Sequence, residues 1–489
     1  MISTKETNVK INFFYQVFYQ ILILALPLIM SPYVSRVLGA EGLGIYSYSY
    51  SIAYYFVLAS MLGILNYGNR TISQCRDNQD ELNEKFSSIV TLHIFISLLC
   101  VVLYLLYIFF VAKEKLYAFM QLAYVFSGLF DISWFYYGIE KFKLTIARNT
   151  VIKVITVLLV FAFVKDPDDL GIYCLIMSCS MFISQIILWI PIKKYVTYIF
   201  PAKEEISSHL KPMLILFIPT IAISLYKYMD KIMIGLLSNK VQLGFYENAE
   251  SIIRVLTSII GSLGTVMLPQ MSNLAANNNM EQFYKNIGLS MRYVMIMAFA
   301  MSFGVAGIAG VFAPFFWGNS FAASGKLIQI LTITVPFMAF ANVIRTQFLL
   351  PREKDVEYMI SVISGALVNL IINIILIPKY GAVGASVATV FAEGMVCIIQ
   401  AVAVRKDLPL DLYVKDTIPF GILGIIMLGI VYYIKYLIFN AFICLLIQVL
   451  VGITLYSLFS YVILCKKKDI LVADLKQKIG ITKNEKNSK

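Results

Sequence analysis

The chain has 489 residues, is 60% hydrophobic and has a mean hydropathy of +0.80, well above the roughly half-apolar composition of soluble globular proteins. That excludes an ordinary soluble domain and predicts an all-α integral membrane protein, since only helices or closed barrels satisfy their backbone in lipid. The net charge of +12 would suggest nucleic acid in a soluble protein, but here the basic residues gather in particular loops and tails, so the bilayer rather than nucleic acid is the expected partner.

Apolar stretches long enough to cross a core of roughly 30 Å are expected at 13–38, 43–66, 87–111, 116–138, 146–164, 170–192, 212–237, 243–269, 288–313, 326–350, 357–377, 383–404, 416–434 and 438–464. This makes about fourteen spans and puts both termini on one side. The first stretch has no small-residue cleavage site and runs on through Pro27 and Pro32, so it reads as a retained span. Counting Arg148, Arg292 and Lys326 at the span ends with their adjoining loops, 27 of the 40 Lys and Arg fall on the two tails and alternate loops, 7 on the opposite loops and six deeper within spans. The richer side is expected to be cytoplasmic.

The expected organisation is two pseudo-symmetric six-helix lobes, 1–192 and 212–404, joined by a basic cytoplasmic linker at 193–211. Two further helices over 405–464 and a basic cytoplasmic tail over 465–489 follow. Internal repeats carry this reading. Leu43-Gly-Ile-Tyr-Ser-Tyr-Ser-Tyr-Ser-Ile52 aligns with Leu243-Gly-Phe-Tyr-Glu-Asn-Ala-Glu-Ser-Ile252, with Pro27 and Pro219 in the preceding spans. Glu140-Lys141 returns as Glu353-Lys354, and Gly171 as Gly384. Such repeats mark secondary transporters, whose site lies at the repeat interface.

The opposite loops reach only about a dozen residues, which leaves no external catalytic domain. No enzyme activity is expected. The seven cysteines show no Cys-x-x-Cys pair or metal-like spacing, and of the two histidines His93 reads as a satisfied core group. No metal site and no cofactor are expected.

The informative residues are charges within spans, because each costs about 2.5–3.5 kcal/mol at mid-bilayer unless it meets a partner or a wet cavity. Six are basic, Arg36, Lys153, Lys227, Lys231, Arg254 and Arg345, and form the candidate cationic substrate site. Five are acidic, Asp131, Asp230, Glu247, Glu250 and Glu393, and are the candidates for coupling to H+ or Na+. Lys227, Asp230 and Lys231 share one face of span 7, and Glu247, Glu250 and Arg254 one face of span 8. These stripes either meet, or neutralise themselves within each helix. Lys153 and Arg254 fall near mid-span in opposite lobes, where a pyrophosphate or other anionic group is the expected ligand. Pro27, Pro32, Pro219, Pro336, Gly261 and Gly264 are candidate hinges or static kinks.

Pro32-Tyr-Val-Ser-Arg-Val-Leu-Gly-Ala-Glu-Gly-Leu-Gly-Ile-Tyr46 and Asp131-Ile-Ser-Trp-Phe-Tyr-Tyr-Gly-Ile-Glu-Lys-Phe-Lys143 resemble the Wzx-type flippases of the polysaccharide biosynthesis family, in the multidrug/oligosaccharidyl-lipid/polysaccharide exporter superfamily. The resemblance spans nearly the whole chain. It implies alternating access in a bacterial cytoplasmic membrane. Undecaprenyl-pyrophosphate-linked repeat units would move to the outer leaflet for capsule, O-antigen or exopolysaccharide synthesis, with a polymerase and other assembly proteins as partners. Arg36 and the Asp131–Lys143 stretch match family motifs directly. The alternatives are a lipid II or multidrug transporter of the same superfamily and, less well supported, a membrane polysaccharide polymerase or a scaffold.

Overall fold

The computed structural model describes residues 2–467, with side chains from residue 25 onward except those of Pro219, Ala222, Ile223, Tyr226 and Lys227. The candidate Lys227 and the kink at Pro219 therefore lie outside the described side chains, as does most of the expected tail. Among the described residues the structure is helical throughout: α1 (Ile2–Met61), α2 (Ile64–Cys75), α3 (Gln79–Phe110), α4 (Lys115–Met120), α5 (Leu122–Leu129), α6 (Ser133–Gly138), α7 (Phe142–Phe163), α8 (Leu170–Ile187), α9 (Lys203–Leu237), α10 (Lys240–Ala276), α11 (Met280–Trp317), α12 (Ala322–Leu331), α13 (Thr334–Ile344), α14 (Asp355–Tyr380), α15 (Ala382–Val404), α16 (Leu410–Ile434) and α17 (Ala441–Lys466).

Eleven helices among the described residues are long and apolar enough to span, or twelve with the bent pair 319–331 and 334–352. The sequence reading expects fourteen. One of the eleven, Ala25–Cys75, takes in two expected spans, and α9 is not among them. The fourth expected span is cut into α4, α5 and α6 at Gln121 and at Phe130–Ile132.

Pro27 and Pro32 do not break α1. Its backbone leaves the helical region at Gly39 (φ 69°, ψ −179°), a conformation that a Cβ would strain. Pro336 falls in the first turn of α13, where its missing N–H is among the unbonded donors anyway. The 43° bend lies just before it. Gly264 is a packing position rather than a hinge, since a Cβ there would stand 2.5 Å from Asn342 Oδ1.

The chain divides into two units, residues 1–248 with 372–385, and residues 249–371 with 386–489. The core of the first is built by Trp134, Phe135 and Tyr136 of α6 against α2 and α3, with Phe86, Ile64 and Ile72 fully enclosed. Close approach makes this possible: a Cβ on Gly68 would meet the Trp134 ring at 2.5 Å, and one on Gly138 would meet Ile72 at 2.6 Å. In the second unit Phe420, Leu423, Met427 and Val431 of α16 pack with Tyr456 of α17 against Phe299 and Phe303 of α11. Asp416 of α16 ties the same three helices together by ion pairs with Arg292 and Lys467.

His209 lies in the second turn of α9, inside the 193–211 linker and ahead of the expected span. It is 3% exposed, with Tyr67 Oη 2.6 Å from Nδ1 and Ser88 Oγ 2.9 Å from Nε2. Burial, reinforced by the Lys85 charge, lowers its pKa from 6.5 to about 4. The folded form thus favours neutral imidazole, so this contribution is complete above pH 6.5 and is lost as pH falls from 6.5 towards 4. The purified protein should lose on the order of 2–3 kcal/mol over that window. Replacing His209 with glutamine should flatten the fall, read from unfolding midpoints at pH 7.5 and 4.5. An equal fall in wild type and variant would remove His209 as its cause.

Candidate functional site

The two copies of the Leu-Gly-x-Tyr motif meet within the first unit, and they do so reciprocally. A Cβ on Gly44 would sit 1.7 Å from the carbonyl oxygen of Lys240, and one on Gly244 would sit 1.9 Å from that of Ala40. Positions 40 and 240, like 44 and 244, are equivalents in the repeat, so each copy's glycine receives the other's carbonyl. A Cβ on Gly235 would meet the Tyr48 ring at 2.3 Å, while Asn248 Nδ2 donates to Ser35 Oγ at 2.8 Å, again one pair of equivalents against another. On the line between the copies Ser47 Oγ donates to Glu247 Oε2 at 2.6 Å, and these two residues are each other's equivalents. The contacts follow a local two-fold relation.

The charged stripes of spans 7 and 8 meet here too. Lys231, 5% exposed, places Nζ 2.8 Å from Glu247 Oε2. Asp230, 3% exposed, accepts from Tyr246 Oη at 2.8 Å and Asn373 Nδ2 at 2.6 Å. Lys240 Nζ lies 3.0 Å from the Tyr48 ring centre, a cation–π contact. Beside this cluster runs a tyrosine column on α1. Tyr46, Tyr50 and Tyr54 follow one another at helical spacing. Tyr54 stacks on Tyr228 at 3.9 Å, Tyr50 on Tyr124 at 4.9 Å, and Tyr46 meets Tyr173 edge-on at 4.8 Å.

The other candidates scatter. Arg36 is exposed. Asp131, half-buried, accepts from the N–H and the hydroxyl of Ser133. Glu393 is buried at 5% in the second unit. Arg254 is half-exposed and paired with Glu250 one turn back at 2.5 Å, so these two neutralise each other within their helix, while Glu247 of the same stripe pairs with Lys231.

Lys153 and Arg345 differ from these. Among the described residues no carboxylate lies within 4.0 Å of either. Lys153 is half-buried on α7. Arg345 opens a π-helical turn, Arg345–Leu349; among the described residues it reaches the Tyr358 hydroxyl at 3.4 Å, with the Tyr358 ring centre at 5.6 Å, and its buried Nε has no acceptor. Arg148 is a buried cation that sequence reasoning missed. The residue is 8% exposed, and its guanidinium donates to Ser184 O, Gln185 Oε1 and Asn149 Oδ1 at 2.8–2.9 Å. Its place in the first turn of the fifth expected span, 146–164, gives it the look of a loop-flanking charge. His93 also differs from expectation, since its buried Nε2 has no hydrogen-bond partner among the described residues.

The profile described as polysaccharide biosynthesis protein matches residues 9–275, more than half of the chain. The chain belongs to the polysaccharide biosynthesis protein family. These are the Wzx-type flippases of the multidrug/oligosaccharidyl-lipid/polysaccharide exporter superfamily, which are transporters and not catalysts, and the chain is a multi-pass membrane protein. A second profile, lipid II flippase MurJ, matches residues 154–466. A relative from Shigella dysenteriae named "Putative O-antigen transporter" is 24% identical over 388 residues, 78% of this chain and 96% of that protein. Among solved structures, the lipid II flippase MurJ in an inward closed conformation aligns with a TM-score of 0.75 at 18% identity, covering 93% of this chain and 98% of the other. An inward-facing multidrug resistance MATE transporter aligns at 0.59 and 15% identity, covering 81% and 96%. These structural likenesses establish the fold.

Proposed function

We propose that this flippase moves oligosaccharide repeat units linked to undecaprenyl pyrophosphate from the cytoplasmic to the outer leaflet of the cytoplasmic membrane, by alternating access, for capsule, O-antigen or exopolysaccharide synthesis. The observation that carries the substrate chemistry is that two intramembrane cations, Lys153 and Arg345, have no carboxylate partner among the described residues. Holding either at depth is costly, and a diphosphate offsets that cost while a neutral cargo does not. Each residue is assigned to the anionic headgroup on the evidence of its own unit. Arg254, already neutralised by Glu250, takes a smaller part. Both tails and the 193–211 linker are assigned to the cytoplasm on the charge asymmetry, and the polymerase of the pathway is the expected partner.

The deciding experiment deletes the gene and locates lipid-linked repeat units by leaflet. Accumulation on the cytoplasmic side supports flipping. Unpolymerised units accumulating outside would overturn it in favour of a polymerase. The match to the lipid II flippase profile favours one second reading, transport of a peptidoglycan precursor. Rescue of a strain lacking its own lipid II flippase, with glycan export unaffected by the deletion, would establish that reading instead.

In the reconstituted protein, Lys153→Gln and Arg345→Gln should each reduce transport at least tenfold while leaving the protein folded. Arg254→Gln should reduce it less. Full transport by both single variants would remove them as ligands. Asp230, the most enclosed of the acids in the first unit, is the leading candidate for a coupling cation, and the dependence of transport on an imposed sodium or proton gradient in Asp230→Asn is the measurement that checks it.

A further inference from the structure

The second repeat, Glu140-Lys141 and Glu353-Lys354, survives in the backbone to the level of single hydrogen bonds. Glu140 and Glu353 both adopt left-handed conformations, φ 59° and 54°, which cost a non-glycine residue about 1 kcal/mol. Glu140 N–H donates to Tyr137 O and Glu353 N–H to Leu350 O, both at 3.1 Å; Lys141 N–H donates to Tyr136 O and Lys354 N–H to Leu349 O, both at 2.9 Å. A third turn repeats at the same offset, with Lys194 N–H donating to Pro191 O at 3.0 Å and Asp407 N–H to Val404 O at 2.9 Å. Lys141 is therefore the counterpart of Lys354, and Lys194 the counterpart of Asp407.

The side chains depart from this symmetry in one respect. In the second unit Lys354 Nζ lies 2.8 Å from Asp407 Oδ2, and the pair closes on itself. In the first unit both positions are lysine. Lys141 and Lys194 line a cleft of about 400 Å³ together with Arg76, Asp77, Gln79, Glu140 and Tyr195, among others. Arg76 is taken up by Glu140 at 2.6 Å, whereas among the described residues no carboxylate lies within 4.0 Å of Lys141 or Lys194. The lining carries three cations and two acids, one positive charge in excess. The wall is held in place, because Gln79 Nε2 donates both to Tyr195 O at 2.9 Å and to Asn83 Oδ1 at 3.1 Å, and Asn83 Oδ1 also accepts from Thr197 N–H.

We propose that this cleft is a phosphate-binding site, in which an anionic phosphate group takes the place that the Asp407 carboxylate fills in the second unit. Lysines suit such a ligand as mobile point charges. The cleft gathers the end of α2, the start of α3, the turn after α6 and the turn after α8, all helix termini, so its position is the membrane boundary. There phosphate comes from two sources, the headgroup of an anionic phospholipid or the pyrophosphate of a polyprenyl lipid. The site stands apart from the intramembrane cations and does not depend on which cargo is carried.

The test replaces Lys194 with aspartate, which copies the second unit's own solution and should close Lys141 into an internal ion pair without harm to folding. Purified protein is placed in phosphatidylethanolamine nanodiscs with a few per cent of fluorescent phosphatidylglycerol, and energy transfer from protein tryptophan reports binding. Wild type should show saturable binding, Lys194→Asp should weaken it at least tenfold, and Lys141→Gln by a smaller factor. Competition by equimolar undecaprenyl pyrophosphate assigns the site to the polyprenyl lipid, and its failure to compete assigns the site to the bilayer. Wild-type binding by both Lys194→Asp and Lys141→Gln, or no preference of the wild-type protein for phosphatidylglycerol, would overturn the proposal. A transport defect in these variants with binding unchanged would count against the site while leaving the flippase reading intact.

Discussion

Replacing Gly44 or Gly244 with valine should abolish transport, and each single substitution should suffice. At both positions the first added carbon would fall within 2 Å of a backbone carbonyl oxygen, that of Lys240 or of Ala40. A side chain in the way can rotate aside; a helix backbone cannot. Overpacking costs about 1–3 kcal/mol even where neighbours are flexible, and here relief requires the two motif copies to separate. Separation also removes the Ser47–Glu247 hydrogen bond and the seat of Lys240 on Tyr48. Under the alternating access proposed above, such a wedge favours whichever state holds the copies apart. Gly261 is the internal control. A Cβ there meets nothing within 4 Å, so Gly261→Ala should leave transport unchanged and should not lower the melting point. Wild-type transport by Gly44→Val and Gly244→Val would show that the close contact is dispensable.

The repeat behind this contact was legible in the sequence because it retains Leu, Gly and Tyr at matching places, but that the two copies touch was not. The glycine is needed where one backbone touches another, and that requirement is the same in each copy. The turns at Glu140 and Glu353 were legible as an echo for a similar reason, although their left-handed backbone was not, since glutamate gives no hint of it. The Glu250–Arg254 pair follows from helical spacing alone.

Contacts that join distant segments were harder to see. Asp230 takes its amide donor from Asn373, 143 residues away, and Arg148 donates to a backbone carbonyl and a glutamine on α8, which carry no charge pattern. Prolines misled in the opposite way. Pro27 and Pro32 suggested a break, yet a proline removes only one donor and the surrounding turns hold; the chain departs from the helix at Gly39, where positive φ is free of steric cost. The fourth span has the length and hydropathy of one helix, and neither property records the turns at Gln121 and Phe130 that divide it.

Removing the charge of Lys231 should have the second large effect. Its ammonium is almost wholly enclosed and stands 2.8 Å from Glu247, which is itself only about one-fifth exposed. Taking one partner from a buried pair typically costs about 3–5 kcal/mol, because the remaining charge keeps its desolvation penalty without its compensation. Lys231→Met should therefore yield little folded protein in the membrane. The added change Glu247→Gln should restore it, since glutamine can still accept from Ser47 and carries no charge to desolvate. A double-mutant cycle on unfolding midpoints should give a coupling of at least about 1.5 kcal/mol between the two positions; independent, additive effects would mean that the pair is not what holds this part of the unit together. The restored double variant then separates structure from transport. If Lys231 and Glu247 only neutralise each other, it should transport as wild type does. If Glu247 also releases Lys231 to carry a coupling cation during the cycle, the double variant should fold, reach the membrane and fail to transport, and the failure should not respond to an imposed sodium or proton gradient.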